Sequence, residues 1–328
     1  IDPLQDEKQE IINKNERELE VEKEKQRKST TLKKVAEEWH QRQSPHWTEK
    51  HTRDVLNSLN YHVYPDLGER PISDINKKEV IATLRKLESE GKHETCYRVR
   101  QRIEAVFEYA EIAELCISNP ASGIQKIFTK PQPKEHASLP IRELPVFINK
   151  IIDDKVANRS TKLAMFFMIH VFVRSKPQRV AKWIDFEIDC EEPLWVVPRY
   201  DEKTGIKLHV PLSPQVVMIL NEMKGYSDPD SFVFPQVRNR QKPMSENTLL
   251  YFSNRIGYAG RNTIHGFRKV ASTALHESGN WSYEAVEKQM SHVVGTKVSR
   301  IYNKAEYLDE RRKMMEWWSD YIESLMLK

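Results

Sequence analysis

Residues 263–307 read TIHGFRKVASTALHESGNWSYEAVEKQMSHVVGTKVSRIYNKAEY, and this stretch decides how the rest of the chain is understood. His265 and Arg268 stand three apart at the start of an expected helix, so they share a face. A helix N-terminus also favours an anion. His292 follows an amphipathic segment, Tyr283 to Met290, and Tyr302 lies ten residues further on, beyond a break at Gly295. Two histidines, an arginine and a tyrosine can therefore meet one phosphate, with the tyrosine on a separate short unit.

Two upstream stretches supply further basic groups. In IHVFVRSKPQRVAKW, residues 169–183, Arg174 follows an apolar helix. In DEKTGIKLHVPLS, residues 201–213, Lys203 sits at the tip of an expected hairpin between the strand-like runs LWVVP and KLHVPLS. Taken singly each of these residues has a plainer reading: a packed or capping histidine, an exposed turn lysine, a surface tyrosine. Their joint order is what carries weight. Neither HExxH nor a histidine beside paired cysteines is present, which argues against zinc, and no GxxxxGK[ST] phosphate loop occurs.

The ordered set, together with HGFR, the Gly279-Asn280-Trp281 turn, EKQMSH from Glu287 to His292, and YNKAEYLDERRKMMEWW from Tyr302 to Trp318, resembles the tyrosine recombinases. It is similar in particular to the integrases of satellite phages, prophages and pathogenicity islands. The resemblance implies six catalytic residues: Arg174, Lys203, His265, Arg268, His292 and Tyr302. Arg174 and Arg268 suit the non-bridging oxygens of a five-coordinate phosphate, because guanidiniums make forked, charge-assisted hydrogen bonds. A tyrosine hydroxyl is protonated at neutral pH, so its attack needs a base or a strong positive field. His265 is assigned as that base, His292 as a donor to a phosphate oxygen, and Lys203 as the acid for the departing 5′-hydroxyl. A 3′-phosphotyrosine link replaces the phosphodiester, so no cofactor, ATP or metal is required.

One departure stands out. Where the family commonly has threonine three residues before the first arginine and glutamate three after it, this chain has Val171 and Pro177, and Gln178 replaces an apolar residue. A carboxylate that could hold Arg174 is thus absent. This keeps two alternatives open beside an active integrase: a catalytically impaired regulator that binds attachment sites, and a type IB topoisomerase-like enzyme.

The 328 residues suffice for two domains, and 39% hydrophobic content suffices for their cores. A net charge of +4 permits DNA binding without demonstrating it. Cys96, Cys116 and Cys190 form no CxxC and no even framework, which suggests reduced thiols in a cytoplasm. No apolar run is long enough for a membrane span.

The organisation read from the sequence is a charged linker helix over 1–28, a helical domain over 29–133 and a catalytic domain over 134–328. The fold class expected is mainly α with a small β-sheet: a helical core-binding domain and a mixed α/β catalytic domain, closing as a C-shaped clamp on DNA. Leu4, Ile11, Ile12 and Leu19 recur among Glu and Lys in the first segment. It reads as a solvated helix or as a contact with a neighbouring protomer. In the second, Asn76 and Glu79 form a capping-box-like start. Arg98, Arg100 and Arg102 are candidate DNA contacts, Arg98 and Arg102 together beside the apolar stripe and Arg100 elsewhere on the helix. The Pro-rich run from Lys130 to Pro133 and the following KEHASLP read as an extended linker. The carboxy-terminal segment, Ala305 to Leu327, is core packing or a tail docked on an adjacent protomer.

The resemblance also implies double-stranded DNA attachment sites as partner, a homotetramer on DNA and a monomer without it. A DNA-bending protein and an excisionase are further expected partners, no membrane is involved, and the place of action is the nucleoid in the bacterial cytoplasm. Ile1-Asp2-Pro3 is similar to the junction that follows an amino-terminal arm-binding domain in this branch, so that domain is expected to be missing.

Overall fold

The computed structural model describes residues 3–132, 135–198, 207–292 and 305–326, with side chains from residue 13 onward. The chain divides into two compact units, Ile1–Pro133 and Lys134–Lys328.

The first unit is helical: α1 (Pro3–Ser29), α2 (Leu32–Gln43), α3 (Glu49–His62), α4 (Tyr64–Leu67), α5 (Lys77–Ser89) and α6 (His93–Ile112). Hydrophobic residues recurring at helical spacing put Val35, Leu59, Leu84, Val99 and Phe107 into one core. The capping box at α5 is realised in full: the Asn76 side chain accepts from the Glu79 amide, and Glu79 accepts from the Asn76 amide. From residue 13 on, α1 is charged and exposed along almost its whole length. Its last turn is tied down where Arg27 reaches Asp74 at 2.7 Å, while Lys28 pairs with Glu24 within the helix.

The second unit surrounds α8 (Arg159–Val171), whose side chains are buried on nearly every face. Around it lie α7 (Leu144–Asp153), α9 (Ser175–Val180), α10 (Pro214–Met223), α11 (Thr248–Ser253), α12 (Gly266–Ser278), α13 (Tyr283–Gln289) and α14 (Leu308–Met326). A three-stranded antiparallel sheet runs in the order β1 (Phe186–Glu187), β2 (Leu194–Val197), β3 (Leu208–Pro211), with Trp195 opposite Val210. Alternation along β2 buries Trp195 and Val197 against Phe167 and Phe234. A second hairpin, β4 (Pro235–Gln236) with β5 (Asn239–Pro243), escapes sequence reading because β5 is polar up to Pro243 and lacks a period-two pattern. The mainly α architecture with small sheets agrees with the sequence.

Within this chain the carboxy-terminal helix packs as the first of its two readings expects. Met314, Met315, Trp318 and Ile322 of α14 belong to the core of their own unit. The Trp318 indole donates to the Ile169 carbonyl at 3.0 Å, and Ser319 meets both His170 and Ser213 through its hydroxyl.

Candidate active site

Four of the six expected residues lie in the described part of the second unit, and their positions follow from how α8 and α13 end and how α12 begins. Lys203 and Tyr302 lie outside the described residues, as does the expected hairpin tip.

α8 stops at Phe172, which is fully buried and held in the left-handed region at φ 37. That conformation is uncommon for a bulky residue and marks a constrained corner. It turns the chain so that Arg174 becomes the exposed N-cap of α9. Pro177 fits there because it falls in the first helical turn, where its missing N–H has no intrahelical partner to lose. Gln178 points into the core instead of an apolar side chain, and its amide donates to the Ala164 carbonyl at 2.6 Å. The corner therefore has a tie to α8 that does not need a carboxylate at position 177.

Arg268 is the link between this corner and the next. It is only 2% exposed, with Nη1 donating to the Phe172 carbonyl at 2.8 Å and Nη2 to the Met290 carbonyl at 2.5 Å. Met290 ends α13 and is followed by Ser291, another non-glycine residue with positive φ, and then by His292. One guanidinium thus holds the backbone just before Arg174 and just before His292. A guanidinium has five N–H donors, so anchoring by two carbonyls is compatible with contact to a phosphate oxygen.

His265 is the exposed N-cap residue of α12. Its proton affinity is pushed below the ordinary histidine value, first by partial desolvation of the ring and then by the charges of Arg268, His136, Arg174 and His292. The ring of His136 lies 4.6 Å from it, centroid to centroid. His292 is held through Nδ1 by Glu287 Oε2 at 2.9 Å, and the other carboxylate oxygen stands 3.6 Å from His276 Nε2. A carboxylate on one ring nitrogen orients the imidazole and leaves Nε2 for another partner. Sequence reasoning misses Glu287 and His136 as site residues; the signal for Glu287 is its place in EKQMSH, one helical turn and a cap before His292.

In the first unit the three arginines separate. Arg98 and Arg102 line a groove with Trp39, Trp47 and His51. Arg98 makes an exposed pair with Glu94, and Arg102 donates to the Asp54 carbonyl at 3.3 Å. Arg100 departs from the expectation of a DNA contact. It is 6% exposed, paired with Glu104 at 2.6 Å and laid over the Tyr97 ring, because it projects from the face of α6 that packs inward.

Known proteins are similar to this chain in sequence and in fold. Residues 143–308 match the phage integrase family, and residues 32–126 match the phage integrase central domain. An integrase of Enterobacteria phage P4 is 33% identical over 308 residues, covering 89% of this chain and 69% of that protein. The chain belongs to the phage integrase family. A putative protein IntB of Escherichia coli K12 is 34% identical, covering 91% of this chain and 78% of its own length. Among solved structures, a lambda integrase tetramer bound to a Holliday junction superposes with a TM-score of 0.63 at 18% identity, covering 82% of this chain and 76% of the other. The Tn1549 transposon integrase in complex with a circular intermediate DNA gives a TM-score of 0.62 at 15% identity, covering 88% and 99%. The fold is thus shared well beyond close sequence likeness. This integrase-family chain is a tyrosine-type site-specific recombinase that integrates or excises a mobile element. Among its described residues no helix is long and apolar enough to cross a membrane.

Proposed function

We propose that the second unit carries the reaction centre, in which Tyr302 attacks a scissile DNA phosphodiester and becomes joined to the 3′-phosphate. The observation that carries this reading is the convergence of Arg174, Arg268 and His292 on His265, whose proton affinity is depressed first by partial desolvation and then by these neighbouring charges. Such a cluster is unfavourable by itself and becomes favourable once an anion enters.

The roles follow from charge and proton bookkeeping. Arg174 and Arg268 stabilise the extra negative charge of the five-coordinate phosphorus. His265, kept neutral, takes the proton of the Tyr302 hydroxyl as its oxygen bonds to phosphorus. His292, oriented by Glu287, donates to a non-bridging oxygen. Lys203 gives a proton to the 5′-oxygen as the phosphodiester bond breaks. The reverse attack by another strand's 5′-hydroxyl restores a phosphodiester and frees the tyrosine.

The partner is duplex DNA carrying the attachment sites. The groove of the first unit, with Arg98, Arg102 and two tryptophans, supplies core-site phosphate contacts, which position without specifying sequence. Exchange between two duplexes needs four active sites, so the assembly on DNA is a homotetramer, with a DNA-bending protein and an excisionase as accessory partners. The reaction takes place on the nucleoid in the bacterial cytoplasm.

The test is trapping on a nicked duplex carrying the joined ends of the circularised element. Wild-type chain should give a covalent protein–DNA band in denaturing electrophoresis, and Tyr302→Phe none. DNA binding without any covalent band in the wild type would replace this reading by that of an attachment-site regulator.

A further inference from the structure

In sequence, residues 135–139 read only as an extended linker, yet this segment is fixed against the start of α12 by several independent contacts. The Ala137 carbonyl accepts from the Thr263 amide at 2.9 Å and from the Thr263 hydroxyl at 3.2 Å. The Leu139 amide donates to Asn262 Oδ1 at 3.3 Å, and both Leu139 and Asn262 are buried. Lys269 pairs with Glu135 at 2.9 Å. The fit leaves no room for a side chain at position 266: a Cβ there would stand 2.4 Å from the Ala137 carbonyl oxygen and 3.0 Å from Ser138 Cα. Gly266 is therefore required by the close approach of the 137–138 backbone.

This staple places the His136 ring over His265, tilted by 47° at 4.6 Å. His265 needs such a neighbour. It is exposed, and its side chain makes no capping bond to α12. A side chain in that situation samples several rotamers unless something packs on it. The other charged groups that act on it, Arg268 from α12, Arg174 ahead of α9 and His292 after α13, repel its protonated form without fixing its ring plane.

We propose that His136 is a positioning residue of the recombination centre: its ring, held by the stapled 135–139 segment, seats the His265 imidazole in the orientation for taking the tyrosine proton. The inference rests on the reading of His265 as the base for Tyr302. His136 itself transfers no proton in this scheme; the flat face of its ring does the seating. A phenylalanine can do the same, and an alanine cannot.

The experiment compares single-turnover formation of the covalent complex on the nicked duplex for wild type, His136→Ala and His136→Phe, with DNA affinity and melting temperature measured beside it. His136→Ala should slow cleavage at saturating DNA by about tenfold to a hundredfold while affinity stays within about twofold, since misplacement of a reacting group acts on the chemical step. His136→Phe should return the rate to within about fivefold of wild type. Gly266→Ala, which displaces the segment, should reproduce the alanine defect and add little to it in the double variant. Cleavage by His136→Ala at the wild-type rate overturns the proposal, and so does a His136→Phe as slow as His136→Ala, which would mean that the imidazole acts through its own nitrogen. If the wild type itself forms no Tyr302-linked product, the reading of the centre fails and this inference fails with it.

Discussion

Two buried arginines of the second unit use the same device on either side of residues 293–304. Arg268 holds the carbonyl of Met290, shortly before that stretch begins, and Arg311 holds the carbonyl of Glu306, shortly after it ends. Arg311 also donates to the His209 carbonyl on β3 and to the Gln289 side chain, while His209 and Lys288 both approach Glu306. Gln289 and Met290, where α13 ends, are thus gripped from both sides. The stretch that contains Tyr302 is bounded by two fixed points, each next to a non-glycine residue with positive φ, Ser291 and Tyr307.

The difference lies in what else surrounds each guanidinium. Arg311 is 0% exposed and has Glu306 as a counter-charge at 3.7 Å; burial lowers its pKa to about 10, so it stays charged at neutral pH. Arg268 spends two of its donors on neutral carbonyls and shares its corner with Arg174, His265 and His292. One guanidinium sits beside a carboxylate of its own chain, and the other sits among basic groups whose mutual repulsion a phosphate relieves. The same residue type is a structural tie in one place and a candidate ligand in the other.

Breaking Arg268 should have the largest effect. Arg268→Lys keeps the charge but cannot span two carbonyls with one fork. Covalent-complex formation is expected to fall by about 100-fold to 1000-fold, the loss typical of one preorganised donor to a developing anion. Single-turnover trapping on the nicked duplex measures it, and a loss of under about tenfold would make Arg268 only a structural tie.

Arg311→Met should reverse the ranking of stability and chemistry. It leaves two carbonyls and a buried amide without their donor, each such loss costing about 1–3 kcal/mol, so thermal unfolding should show a clear drop in melting temperature. Cleavage should fall less than in Arg268→Lys when both are measured well below their melting points. An Arg311→Met chain that melts like wild type would show that the exit point needs no such tie.

The smallest effect expected is on the pH profile. His265 has a depressed proton affinity, so its neutral, proton-accepting form persists to lower pH than for an ordinary histidine. Cleavage at sub-saturating DNA, which reports the free enzyme, should therefore keep its activity down through pH ~6.5 and lose it only below that value, as His265 becomes protonated. An acid limb centred above it would contradict the neutral-base role. The depression comes first from partial desolvation of the ring and then from neighbouring charges, Arg174 among them, so Arg174→Gln should move the limb upward.

Much of this site is legible in the sequence alone. The HGFR and EKQMSH runs, the apolar helix ahead of Arg174 and the Asn76 capping box are local patterns, set by residues a few positions apart along a helix. They decide the fold class, the order of elements and the candidate residues. Pro177 stands out in sequence as a defect, because the missing carboxylate is visible there and the Gln178 tie to Ala164 is not. Arg100 misleads for a similar reason: spacing separates it from Arg98 and Arg102, but only packing shows that its face of α6 is covered.

What the chain alone determined is therefore which chemistry is present and in what order, since helical periodicity and residue identity are local properties. What the tertiary structure decided is which charges meet a counter-charge and which gather around one another. The carbonyls of Phe172 and Met290 belong to residues whose side chains say nothing about them, and the Ala137 carbonyl that makes Gly266 necessary lies far away in sequence. Backbone groups are the same at every position, so their partners are fixed only when distant segments meet.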